Sequence, residues 1–338
     1  MRVASAKRPG EFELIRRYFA PLAAATPGAL GLGDDVALLT PRAGTELVLK
    51  TDGVVGGVHF LTDDPPDQIA RKALRVNLSD LAAKGAAPLG YLMTCALDAS
   101  VDEPWIASFC AGLAADQAEF GIGLLGGDTM STPGPVSISI MVLGEVPIGR
   151  VLRRNAAKPG DLVFVSGTLG DAVLGLKRLR GRFPAMPKAE SDHLIDRYRL
   201  PQPRLRLGRA LLEEGLARAS LDISDGLIAD LGHVGEQSGL AAEVERDRLP
   251  LSPAAARALD EDPALIVDIV AGGDDYELLF TAPAAARATL ADLGRRLNLR
   301  LTEVGRMIEP SGSSPGTVRL LDGQGREIPL ARRGWEHF

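Results

Sequence analysis

Leu47-Val48-Leu49-Lys50-Thr51-Asp52-Gly53 reads as an apolar strand that ends on an acid beside a glycine. Working outward from it, helix and strand patterns alternate. Pro66 suits the first position of a helix, and Ile69, Leu74, Leu78 and Leu81 recur at helical spacing up to Lys84-Gly85. Leu89–Leu97 reads as a buried strand, and Pro104–Phe120 as a second helix stopped by Gly121. Val136–Val146 alternates Val136, Ile138, Ile140 and Val142 against Ser137, Ser139 and Met141, the period of a half-buried strand. Upstream, Glu11–Ala20 has Phe12, Ile15 and Phe19 on one helical side.

Gly149–Gly160 is basic and rich in loop formers, and it marks a domain boundary. Beyond it, Asp161–Ser166, Leu221–Ile223, Tyr276–Thr281 and Arg300–Gly305 read as strands. Gly170–Leu179, Arg204–Glu214, Asp225–Gln237 and Pro283–Leu293 read as helices, with Glu309–Gly316 a loop. The expected fold class is α+β: two domains, 1–149 and 150–338, each mixing helices and strands.

Composition narrows the function. The 338 residues carry 38 Lys+Arg against 44 Asp+Glu, a net charge of −6, which argues against nucleic acid as the main partner. The longest uncharged stretches, Gly85–Leu97 and Thr129–Gly144, are too short and polar to span a bilayer. Met1–Gly10 is followed by Glu13, Arg16 and Arg17 rather than an apolar run, unlike a secretory signal. The two cysteines, Cys95 and Cys110, lie in apolar segments, so a disulfide framework is not expected and a cytoplasmic location is.

Short acidic motifs carry the chemistry. They are Gly33-Asp34-Asp35, Thr51-Asp52-Gly53, Asn77-Leu78-Ser79-Asp80, Gly126-Gly127-Asp128-Thr129, Asp222-Ile223-Ser224-Asp225-Gly226 and Gly273-Asp274-Asp275. Any one of them alone is most often a turn or a helix cap. Together they place acids at strand ends, beside glycines that let backbone approach a ligand. Carboxylates gathered in one cleft repel unless a cation sits among them. Oxygen donors without a His or Cys set favour Mg²⁺, which completes its shell with phosphates. In each Asp-Asp pair one acid is expected to bind and the other to cap or salt-bridge. No P-loop motif and no protein-kinase motif set is present.

Gly31–Gly33 and Gly121–Gly127 read either as phosphate cradles or as loop hinges. Arg154 reads either as a fork on a nucleotide phosphate or as a solvated arginine. His59, after Gly56-Gly57, reads as a substrate contact or as a hydrogen-bonded buried histidine; His193 and His233 lie in charged helical surroundings. Trp335, in Gly334-Trp335-Glu336-His337-Phe338, is a tail anchor or a platform for a flat ring.

From Gly10-Glu11-Phe12 to His337-Phe338, the order of these motifs resembles the thiamine-monophosphate kinases, in the superfamily of aminoimidazole ribonucleotide synthetase and selenophosphate synthetase. The most specific parts are Gly31-Leu32-Gly33-Asp34-Asp35, Thr51-Asp52 with His59-Phe60, Val76–Ala83, Gly126-Gly127-Asp128-Thr129, Asp222–Leu227 and Gly272–Leu278. The resemblance implies an enzyme that moves the γ-phosphoryl group of ATP onto thiamine monophosphate, the last step of thiamine diphosphate biosynthesis. It implies several Mg²⁺ ions on Asp35, Thr51, Asp52, Asp80, Asp128, Asp222 and Asp225. Nucleotide contacts fall on Gly127, Asp128, Arg154 and Ser224, and thiamine contacts on His59, Asp274 and Trp335; Asp128, Arg154 and Asp225 would be catalytic. The implied architecture is a homodimer whose N-terminal sheets join, with residues 1–149 binding ATP and Mg²⁺ and 150–338 completing the nucleotide and substrate cleft.

Two positions depart from the family pattern. Lys50 stands where relatives often carry a small hydroxyl residue, and Asp274 where several have Glu. Sibling activities that need a reactive thiol, in selenophosphate synthetase and the hydrogenase-maturation protein, fit poorly: the first Cys is Cys95 and the chain ends His337-Phe338. A non-catalytic Mg·ATP sensor is the alternative of another class.

Overall fold

A computed structural model describes residues 9–335 apart from 311 and 313. The stretch before Pro9 and the terminal Glu336-His337-Phe338 lie outside the described residues. The chain divides into two compact units: Met1–Leu81 with Ala86–Gly149, and Ala82–Gly85 with Arg150–Phe338.

The first unit opens with α1 (Glu11–Leu14), a π-helical turn (Ile15–Phe19) and α2 (Ala20–Ala23), so the expected N-terminal helix is present but changes type midway. It continues through β1 (Thr45–Val55), α3 (Pro66–Lys84), β2 (Ala87–Leu97), α4 (Glu103–Phe120), β3 (Leu124–Ser131) and β4 (Ser137–Pro147). Pro66 starts α3, where its missing N–H costs nothing, and Gly85, at φ +72°, follows its end. Asp102 caps α4 by accepting from the Trp105 N–H at 2.9 Å, and Gly121 ends it in the left-handed region.

The sheet order is β1-β4-β2-β3, with only the β2/β3 pair parallel. Ile138, Ile140 and Val142 of β4 and Tyr91, Met93 and Cys95 of β2 are buried on one face. Leu81 of α3 lies against Gly144 of β4, and Gln117 of α4 donates to the Tyr91 hydroxyl, so both helices cover that face. Arg75 of α3 is 1% exposed and forks onto Asp116 of α4 at 2.7 and 2.8 Å. The opposite face leaves Leu47, Leu49, Leu92 and Met141 exposed.

Two strand boundaries differ from the sequence expectation. β1 does not stop at Asp52 but stays paired with β4 as far as Val55 opposite Ser137. Gly126–Thr129, an acidic motif at the end of a glycine stretch read as a phosphate cradle or a loop hinge, is paired along β2. Its glycines allow this: a Cβ at Gly127 would sit 1.8 Å from the Met93 carbonyl oxygen.

The second unit runs β5 (Leu162–Ser166), α5 (Asp171–Leu179), α6 (Lys188–Arg199), α7 (Leu205–Glu213), β6 (Ser220–Asp222), α8 (Leu227–Ser238) and β7 (Ala241–Glu245). It then runs α9 (Pro253–Glu261), α10 (Ile266–Ala271), β8 (Leu278–Ala282), α11 (Arg287–Leu297), β9 (Leu301–Ile308) and β10 (Val318–Leu321). Its sheet order is β10-β7-β9-β5-β8-β6, antiparallel except for β10/β7. Val163, Val165, Leu221, Leu279 and Val304 of the sheet pack with Leu174, Leu227, Leu231 and Ile269 of the helices in one buried core. Among the described residues no helix is long and apolar enough to cross a membrane.

Candidate active site

In the first unit the acids are organised around the edge strand β1. Its period of two puts Lys50 and Asp52 on one face, the face that meets α3. The outward N–H of Asp52 has no neighbouring strand to pair with, and the buried Asn77 Oδ1 accepts it at 2.8 Å. Asn77 is itself held by donating to the Ala73 carbonyl at 3.0 Å. Asp80 follows three residues later on the same side of α3. Lys50 Nζ lies 3.2 Å from Asp52 Oδ1 and 3.0 Å from Asp80 Oδ2. Burial works against the Lys50 charge, but Asp80 and Asp52 outweigh it and hold its pKa above the ordinary value.

Thr51 points to the opposite face, with its hydroxyl 3.5 Å from that of Ser139. Asp128 shares that face through the row Gly53, Ser139, Thr94, Asp128, but on β3, the far edge of the sheet. Within one copy, then, the structure brings Asp52 and Asp80 together and keeps Asp128 three strands away. Asp35 is exposed in the loop after a 3₁₀ turn, where its N–H is accepted by Asp34 Oδ1 at 2.7 Å. His59 folds back on the end of β1: its Nδ1 accepts the Val55 N–H at 3.1 Å, which leaves the proton of the neutral ring on Nε2.

The second unit gathers its site residues at the ends of β6 and β8. Ile223 donates to the Glu277 carbonyl, Tyr276 donates back to Ile223, and Asp274 donates to the Ser224 carbonyl at 2.8 Å. The tail closes on the same loop, because the Trp335 N–H donates to the Asp225 carbonyl at 3.0 Å. Asp222, Ser224, Asp225, Asp274 and Trp335 are thus neighbours although the first and last are 113 positions apart in the sequence. Arg154 is exposed in the loop before β5, and its carbonyl accepts from the Ser238 hydroxyl.

Three further residues support the site; Asp230 and Glu277 were not singled out from the sequence, whereas Asp275 belongs to a pair in which one acid was expected to cap or salt-bridge. Asp230 of α8, buried, accepts the N–H groups of Asp225 and Gly226 at 3.0 and 3.1 Å. Burial, followed by the charges of Asp225 and Asp222, pushes its carboxyl well above the usual range. Asp275 turns inward and accepts the Gly170 N–H at 2.9 Å at the start of α5, whereas Asp274 stays partly exposed. Glu277, fully buried, takes Arg197 at 2.8 Å, a forked contact from Arg204, and the Ser166 hydroxyl at 2.6 Å. The available signal was spacing: Asp230 falls one helical turn after Gly226, at the reach of an N-terminal cap.

Among the described residues, no group of three or more His, Cys, Asp or Glu is arranged to hold a metal ion. The donor chemistry nonetheless fits magnesium. The candidate ligands are all oxygens, and the Asp52 and Asp80 carboxylates already converge on one positive group, the Lys50 ammonium.

Two mixed α/β units with acids along and just beyond their strands belong to a class shown by comparison, the AIR synthase related proteins. The family described as AIR synthase related protein, N-terminal domain, matches residues 33–146, and its C-terminal domain counterpart matches 158–316. The chain is 40% identical to the thiamine-monophosphate kinase of Caulobacter vibrioides over 98% of this chain and 92% of that one. The crystal structure of the thiamine-monophosphate kinase from Stenotrophomonas maltophilia superposes with a TM-score of 0.81, at 40% identity, covering 94% of this chain and 98% of that one. AaThiL complexed with AMPPCP and TMP gives a TM-score of 0.74 at 31% identity and 97% coverage of both chains. The chain belongs to the thiamine-monophosphate kinase family.

Proposed function

We propose that this protein transfers the γ-phosphoryl group of ATP to the phosphate of thiamine monophosphate, releasing thiamine diphosphate and ADP. The observation that carries the reading is similarity along nearly the whole chain to thiamine-monophosphate kinases, one of them complexed with AMPPCP and TMP. The acceptor's phosphate has a second pKa near ~6, so its oxygen is already anionic at neutral pH and needs no general base. The barrier is the approach of two anions, which positioning and opposing charge must lower.

Magnesium, when bound, would supply positive charge to offset the negative charge of the two phosphates. Asp35, Thr51, Asp52, Asp80, Asp128, Asp222 and Asp225 are assigned to hold it. Arg154 would fork onto a phosphate, with Gly127 and Ser224 as nucleotide contacts. The thiamine end is assigned to His59, Asp274 and Trp335: the carboxylate complements the cationic thiazolium ring, and the indole offers it a flat apolar surface. Thiol chemistry is disfavoured, because Cys95 and Cys110 are buried and burial pushes the Cys110 thiol to about 12 and that of Cys95 higher still.

The reading includes a homodimer in the cytoplasm, supported by the uncovered apolar face of the first sheet. Incubation with ATP, Mg²⁺ and thiamine monophosphate should yield thiamine diphosphate. ATP turnover on another acceptor, with no diphosphate formed, would sink the reading. Asp52→Asn, Asp80→Asn, Asp128→Asn and Asp225→Asn should each slow the reaction by roughly 10²-fold or more with the fold intact. Wild-type activity in Asp128→Asn would refute the site assignment.

A further inference from the structure

The Lys50 ammonium lies between two of the carboxylates assigned to metal. Strand alternation puts it on the same face as Asp52, and Asp80 approaches from α3, so Nζ sits 3.2 and 3.0 Å from an oxygen of each. The pair is held in place from behind: buried Asn77 fixes the Asp52 backbone, and Asp80 lies on that same helix. We propose that Lys50 is a resident cation, occupying the position from which a divalent ion would bridge Asp52 and Asp80. The chain therefore holds one divalent ion fewer than it would with a neutral residue there.

Charge explains why the two cations exclude each other. Two carboxylates and one ammonium leave a single negative charge, so the pair stays together before any metal arrives. Adding a divalent ion beside the ammonium would set three positive charges against two negative ones within a few ångströms. The ion must displace Lys50 or bind elsewhere among the remaining acids. Lys50 sits on a strand whose backbone is fully paired with β4, and swinging it out would expose the carboxylates to each other. Two of the ammonium's three N–H donors are engaged by Asp52 and Asp80, which leaves one for a phosphate oxygen, in the manner of a point charge.

The inference rests on the metal reading of the first unit, and the test separates the two. Manganese bound per chain is counted by electron paramagnetic resonance, without nucleotide, for wild type, Lys50→Ser and Lys50→Arg. Lys50→Ser is expected to bind one manganese more than wild type, and Lys50→Arg the same number as wild type. Equal number and affinity in wild type and Lys50→Ser would overturn the role of Lys50 alone. No manganese bound by any of the three would overturn it together with the metal reading. Should Lys50→Ser fail to fold, the wild-type protein still decides: acetylation of Lys50, followed by peptide mass spectrometry, should run at the same rate with and without saturating Mg²⁺. A several-fold acceleration by Mg²⁺ would mean that the metal expels the ammonium, and the proposal would fall.

Discussion

Asp116 has no exposed side-chain surface, and both of its oxygens are taken by arginines, one each from Arg71 and Arg75 at 2.7 Å and a second from Arg75 at 2.8 Å. Arg75 is almost as deeply buried; it also bonds Glu119 at 2.7 Å and lies over the Phe120 ring, but Glu119 is partly exposed and Asp116 is its buried counter-charge. Removing one partner of such a pair leaves an uncompensated charge in the interior. Asp116→Ala should therefore lower the stability of the first unit by about 3 kcal/mol, read as a shift in the urea midpoint. A second pair, His193 with Asp171 at 3.1 Å, makes stability depend on pH. The hydrogen bond to Asp171 raises the His193 pKa above its ordinary 6.5. Burial opposes the Asp171 charge, but bonds from His193, Ser252 and Thr168 outweigh it and bring Asp171 below its ordinary 3.8. The histidine's contribution is complete below 6.5 and lost as pH rises through its raised value. The aspartate's is complete above 3.8 and lost as pH falls through its lowered one. The wild-type advantage over His193→Gln in thermal midpoint should be largest near pH ~5 and fade on the alkaline side. A difference that grows with pH would reverse the sign and exclude this pairing.

Among elements, the two loops of the second unit depend on each other's backbone. Gly273 has φ +74°, and a Cβ there would lie 2.5 Å from the Ser224 carbonyl oxygen, the acceptor that positions Asp274. Gly239 has φ +70° with nothing within 4 Å of its missing Cβ. Gly239→Ala should therefore cost only the backbone term, about 1 kcal/mol, whereas Gly273→Ala should cost more and reduce turnover at least ~10-fold. Equal effects in the two would mean that the contact between the loops does not matter. The same contrast marks what a sequence can reveal. α3 was legible at both ends because Pro66 and Gly85 act locally, and β4 because its alternation is strict. β3 was not, because Gly126 and Gly127 look like a loop until a parallel neighbour at close range requires them. The acids of the site were visible one by one beside their glycines. Their grouping was not, since Asp225, Asp274 and Trp335 meet through hydrogen bonds between distant segments. Asp230 was invisible for a third reason: a lone aspartate in an amphipathic helix looks solvated until its N–H partners are known.

At the scale of the whole molecule, the first sheet is covered by helices on one side only. The uncovered face shows Leu47, Leu49, Met141 and Leu92, and its cross-strand rows are otherwise mostly hydroxyl and small residues until Asp128 at the far edge. Apolar strands with no layer above them call for a second sheet, which a second copy of this chain would supply in the proposed dimer. Leu49→Lys combined with Met141→Lys should then convert a dimer into monomers in sedimentation, leaving each monomer folded. The proposed dimer also bears on the site. Asp52 and Asp128 lie on opposite edge strands, three steps apart at ~4.8 Å each, or about 14 Å, which is too far for one ion to bridge. If β1 of one copy meets β3 of the other, Asp128 of one chain comes beside the other chain's β1 on the uncovered face, the face of Thr51, while Asp52 on that same strand faces α3, and each site takes residues from both chains. Complementation distinguishes that arrangement from one confined to a single chain. Asp52→Asn and Asp128→Asn homodimers should both be inactive. After unfolding and refolding them as an equal mixture, half of the dimers are mixed, and in each mixed dimer one site has both acids intact. Activity should return to about a quarter of the wild-type level. Acids acting within one chain would leave every site in the mixture damaged, and the mixture would stay as inactive as its parents.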